Sequence, residues 1–180
     1  MEDDFDTSKM QKSYTTKDPV KLYCYNKSVH MSPAQEEVFQ QTMSYPNYYM
    51  TGAPEVLNLL QNFIRSMRMK KVLDVGTFTG FSAVSFAEAL PPDGLVVSMD
   101  VTSEYFENVG KKVAQKYDLL HKIQTKAVWS DPSDGGDESL DSITVAIDAL
   151  NRHVAQDPRF RTVRLMLVDV NSVSLTTVLS

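Results

Sequence analysis

Cysteine is almost absent from this sequence. Cys24 is the only one in 180 residues, so no intrachain disulfide can form. Basic runs are absent too. Eighteen Lys and Arg stand against twenty-three Asp and Glu, for a net charge of -5. A nucleic-acid binder needs a basic face to neutralise phosphates, and none is legible here. No apolar stretch approaches the length of a membrane span. The first ten residues, MEDDFDTSKM, are acidic and polar, unlike a secretory signal, so a cytoplasmic protein is expected. Two glycine signatures are missing as well. Neither G-x-G-x-x-G nor G-x-x-x-x-G-K-[ST] occurs, which argues against a dinucleotide, an NAD-dependent oxidoreductase or a nucleoside triphosphate site.

The remaining composition is that of a globular chain, 42% hydrophobic and 23% charged. Residues 1–17 are polar and without period and read as a disordered tail. Residues 18–180 read as one domain. Asp18-Pro19 has the form of an N-cap followed by proline at the first helical position. Ser32-Pro33 with Gln35 repeats that signal as a capping box, ahead of an apolar stripe of Val38, Phe39 and Met43. The stretch APEVLNLLQNFIRSM predicts a third helix with Val56, Leu59, Leu60, Phe63, Ile64 and Met67 on one side.

From Lys70 the pattern alternates. KKVLDV and LVVSMDV read as buried strands and KIQTKAVW as a third. Helices are predicted from Phe81 to Leu90 and from Ser103 to about Tyr117. Strand and helix in alternation indicate a parallel α/β sheet. A helix from about Glu138 to Ala155 follows, with Ile143, Ala146, Ile147, Leu150 and Val154 on one face. TVRLMLV and SVSLTTVL then read as a terminal antiparallel hairpin.

The chemistry concentrates in D-V-G-T-F-T-G, between the first strand and its helix. Glycine permits a sharp turn and close approach by a ligand. The helix start offers free N–H groups and a positive dipole end to a carboxylate or phosphate. Asp74 ends the first strand, and Ser82 lies in the first helical turn. Asp100 ends the second strand, the position in a doubly wound sheet where an acid binds ribose hydroxyls. Without the phosphate signatures, an adenosine ligand lacking phosphates is the better match.

MTGAPEVLNLL, VLDVGTFTGFSA, ALPPDGLVVSMDV, HKI, VWS and AIDALNRHVAQDPR, in that order, resemble the catechol and caffeoyl-CoA type of S-adenosylmethionine-dependent O-methyltransferase. The resemblance implies a Rossmann-like class I methyltransferase sheet with N-terminal helices and a C-terminal antiparallel hairpin. It implies S-adenosyl-L-methionine as cofactor and methyl transfer to a hydroxyl of a small, catechol-like aromatic. Met50 and Gly52 would lie over the cofactor, with Asp74, Gly76 and Thr77 around its amino-acid part. Ser82 would meet its carboxylate, Asp100 would hold the ribose, and Trp129 would line the acceptor pocket. A homodimer through the N-terminal helices is the partner this family suggests.

One departure bears on activity. Between HKI and VWS this sequence has only QTKA, where the family has two further strand–helix units, on the order of 50 residues. That segment carries the family's divalent-cation ligands and its lysine base. No catalytic residue or metal ligand is therefore assigned, and magnesium is expected not to bind. The alternative is a catalytically inactive, truncated relative that binds cofactor or a full-length partner. Losing two central strands also leaves the first strand with an exposed apolar edge, unless the hairpin replaces them. Asp131, Asp134, Asp137 and Glu138 read as a solvated loop without EF-hand spacing. His30, His121 and His153 lack the spacing of a helical metal pair. Cys24 reads as a buried apolar residue.

Overall fold

The computed structural model describes residues 12–127, Arg152, Gln156, 160–166 and 172–178. The chain falls into two compact units, Met1–Val128 and Trp129–Ser180, each described by itself.

The first unit opens with helices whose starts follow from their caps. Helix α1 spans Pro19–Ser28, and the Asp18 carboxylate accepts from the backbone N–H of Val20 and of Lys21. Helix α2 spans Pro33–Thr42 behind a complete capping box. The Ser32 hydroxyl accepts from the Gln35 N–H, and the Gln35 side chain accepts from the Ser32 N–H. Helix α3 spans Pro54–Ser66. Its buried face is Leu57, Leu60, Gln61 and Ile64. Leu59, Phe63 and Met67 of the expected stripe are exposed, so the helix is rotated from that reading. Leu57, not among the predicted six, has the i, i+3, i+7 spacing to Leu60 and Ile64 that one face requires.

Two further expectations are corrected here. Cys24 is exposed, because α1 buries none of its ten residues. Residues 13–15, placed in the disordered tail, form a 3-10 turn (Ser13–Thr15), and the Tyr14 ring meets Phe39 edge-on at 5.2 Å. An aromatic ring with an apolar partner outweighs the polar composition around it.

Three parallel strands follow in the order β1 (Lys71–Val75), β2 (Leu95–Asp100), β3 (Ile123–Ala127). Asp74 lies opposite Ser98, and Asp100 opposite Ala127. Helix α4 (Phe81–Ala89) links β1 to β2 and buries seven of its nine residues. Asp74, Val96 and Ser98 share one buried face of the sheet. On the other face Leu73 and Val75 are 41% and 58% exposed. Among the described residues β1 pairs only with β2, so it is an apolar edge strand.

The helix expected from Ser103 to Tyr117 is two helices, α5 (Glu104–Asn108) and α6 (Gly110–Lys116), broken at Val109. In the second unit β4 (Phe160–Met166) and β5 (Ser172–Val178) pair antiparallel, Phe160 opposite Val178 and Met166 opposite Ser172. The helix predicted over 138–155 lies outside the described residues, save Arg152, which is helical and exposed.

Candidate functional site

The loop between β1 and α4 is fixed residue by residue. Gly76 turns the chain with φ +99°, and its N–H donates to the Met99 carbonyl at 2.8 Å. The buried Thr77 hydroxyl bonds the Ser98 hydroxyl at 2.7 Å. Phe78 is left-handed (φ 45°), and its N–H donates to Asp100 Oδ2 at 2.7 Å. Thr79 is buried, with its hydroxyl 2.7 Å from that of Thr42 on α2. Gly80 closes the turn as the left-handed N-cap of α4 (φ 91°), with no side-chain cap on the helix.

Two acids end the adjacent parallel strands. Asp74 is buried, and its Oδ2 accepts from the Ser98 hydroxyl at 2.7 Å and the Ser82 hydroxyl at 2.9 Å. Burial pushes its pKa up to about 6. The two hydroxyl donors oppose that shift, and the nearby Asp100 charge adds to it. Asp100 is half-buried. Its Oδ2 takes the Phe78 N–H, and its Oδ1 takes the Val101 N–H at 2.7 Å. A carboxylate has about four lone-pair sites, so Asp100 retains capacity for two more donors. Thr77, Asp100, Thr102, Ser103, Thr125 and Lys126 line a narrow cleft at the carboxyl ends of the strands, with Phe106 beside them.

Five of the predicted site residues, Asp74, Gly76, Thr77, Ser82 and Asp100, thus come together in one hydrogen-bonded corner. Met50, 60% exposed, and Gly52 lie on the connection before α3 and take no part in that network. A Cβ on Gly52 would only touch Leu57 at 3.7 Å, an ordinary contact, so packing alone does not demand glycine there. Trp129 lies outside the described residues. Among those residues no group of three or more His, Cys, Asp or Glu could hold a metal ion. Nor is any described helix long and apolar enough to cross a membrane.

The sequence reading missed Ser98. A serine inside the apolar run LVVSMD marks a polar residue on a buried face, and it joins Asp74 to Thr77. It also missed three rings around the loop. Phe78 packs at 5.1 Å from Tyr105 and 6.3 Å from Tyr45, and Tyr45 and Tyr105 meet at 5.6 Å.

Residues 25–134 match the family model described as O-methyltransferase. Over 109 residues the chain is 32% identical to caffeoyl-CoA O-methyltransferase 2 of Petunia hybrida and to caffeoyl-CoA O-methyltransferase 1 of Nicotiana tabacum. Each alignment covers 58% of this chain and 45% of the relative, so the chain spans less than half the length of these curated relatives. Among solved structures, the O-methyltransferase from Bacillus cereus in complex with SAH superposes with a TM-score of 0.68 at 14% identity. That match covers 88% of this chain and 96% of the other. TomG from Streptomyces achromogenes, in complex with SAM, gives 0.65 at 13%, covering 89% and 96%. These likenesses establish the fold, a Rossmann-like methyltransferase sheet, and the family match extends over more than half of the sequence: the chain belongs to the O-methyltransferase family.

Proposed function

We propose that this chain binds S-adenosyl-L-methionine at the β1–α4 corner, in a site whose family chemistry is methyl transfer to a hydroxyl of a small aromatic. The observation that carries the reading is the pair of acids, Asp74 and Asp100, on adjacent strand ends joined by the glycine loop. The residues fit the cofactor. A Cβ at Gly76 would meet no described residue within 4 Å, so the described residues leave space on that side of the loop. The α4 N-terminus has no side-chain cap, which leaves backbone N–H groups for a carboxylate. Asp100 has lone pairs for two ribose hydroxyls, and ionised Asp74 suits an ammonium. When bound, the cofactor supplies an electrophilic methyl on a sulfonium. The role of these residues is to bind and orient it.

The aromatic acceptor rests on the relatives, which are caffeoyl-CoA O-methyltransferases by name. The family's divalent cation does not fit the described residues, which contain no ligand cluster, and no step is derived through it. A second reading is an inactive relative that keeps cofactor binding or pairs with a full-length partner. The apolar edge that β1 presents among the described residues favours it.

Calorimetry with S-adenosylmethionine and S-adenosylhomocysteine, on a chain shown to melt cooperatively, tests the binding. Micromolar affinity is the expected result, and a folded chain that binds neither would remove the reading. Methyl transfer to catechol or caffeate with magnesium present then separates the two functions: turnover supports the enzyme, and binding without turnover supports the inactive relative.

A further inference from the structure

The break between α5 and α6 falls where the chain passes the glycine loop. The backbone leaves helical geometry at Val109 (φ -121°, ψ -75°) and resumes at Gly110. A Cβ on Gly110 would lie 2.5 Å from the Thr79 carbonyl oxygen and 2.8 Å from the Phe106 ring. A Cβ on Gly80 would lie 2.7 Å from the same ring and 3.2 Å from the Gly110 Cα. Two glycines therefore meet across a main-chain contact, beside Phe106, which is 2% exposed. The contact has little slack. The Thr79 oxygen is main chain and cannot swing aside like a side-chain tip, and the Thr79 hydroxyl is held by Thr42 at 2.7 Å. Gly80 and Phe78, on either side, are both left-handed. A shift of Thr79 would have to pass through those two constrained residues.

We propose that Gly110 is a positioning residue for the cofactor loop: its missing side chain sets where the Thr77–Gly80 segment stands, and so how tightly the amino-acid part of the cofactor is held. This rests on the reading of the loop as an S-adenosylmethionine site. Gly110 acts through Thr79 and Gly80, not by touching the ligand.

The test compares two ligands that share adenosine but differ in the amino-acid part. S-adenosylhomocysteine has it, and 5′-methylthioadenosine does not. Calorimetry on wild type and Gly110→Ala, with melting temperatures alongside, should show S-adenosylhomocysteine weakened at least about tenfold, equal to ~1.4 kcal/mol. Methylthioadenosine should change by less than about threefold. Equal weakening of both, or no change in either, would overturn the inference, because general destabilisation cannot choose between the ligands. A wild-type chain that binds neither would overturn the cofactor reading and this inference with it, and that result appears before any substitution is made. Should Gly110→Ala not fold, Phe106→Leu loosens the same contact without a clash. It should give a smaller loss confined to S-adenosylhomocysteine, and an equal loss for both ligands would again overturn the proposal.

Discussion

Helices α1 and α4 are of nearly equal length and are held in opposite ways. Helix α1 has a charged N-cap, proline at its first position and no buried residue among ten. Val20 and Tyr23 are 69% and 64% exposed. Helix α4 has a left-handed glycine for a cap, accepts no side-chain cap bond, and buries seven residues of nine. One helix is specified by its ends and the other by its surroundings. A short helix in water is marginal without packing, so α1 should open alone while α4 opens only with the whole unit. The candidate site is built on the second kind of helix. Ser82 and the loop before it are therefore fixed by the core.

The largest effect should come from α4. Phe81 is 2% exposed, and its ring packs 5.3 Å from that of Phe39. Phe81→Ala should cost about 3–5 kcal/mol in urea unfolding. A loss below about 1 kcal/mol would mean that α4 is not held by its core.

Asp74, bonded by Ser82 of α4, gives the next effect, with the opposite sign at neutral pH. Its pKa is raised by burial from 3.8 to about 6. The native chain then holds a proton that the unfolded chain releases. The stability this group contributes is full below 3.8 and lost as pH rises through about 6. Relative to Asp74→Asn, the parent should lose on the order of 2–3 kcal/mol between acid and neutral pH. Urea midpoints taken for both proteins across that window check it, and parallel curves would count against the buried acid. The same substitution should weaken cofactor binding.

On α1 the effects should be local. Asp18→Ala removes the acceptor of the Val20 and Lys21 N–H groups. Amide exchange within 19–28 should quicken while the urea midpoint of the unit stays in place. A shifted midpoint would join α1 to the core and erase the contrast. Val20→Ala should be smallest, within about 0.5 kcal/mol, as for an exposed position without special contacts.

How much of this was legible depends on whether a signal is local. The caps at Asp18 and Ser32 need only neighbouring residues, and both helices start where those residues place them. Short apolar runs located β1, β2 and β3 within a residue or two. The acids at 74 and 100 were visible as strand ends, and parallel pairing brings them to the same edge. What failed was long-range. Nothing near Cys24 says that α1 stays outside the core, and nothing near Val109 says that the helix must break to meet Thr79. The α3 stripe was off because six apolar residues form two faces, and only the partner helix decides which one is buried.

The grip on Thr79 has a consequence for synthesis. One contact reaches back to Thr42 and the other forward to Gly110. A nascent chain that has released residues through Asp100 already carries the whole glycine loop, the first two strands and both acids. It still lacks the wall against which the loop is set. The loop is therefore set only after residue 110 has emerged from the ribosome, later than both acids at 74 and 100.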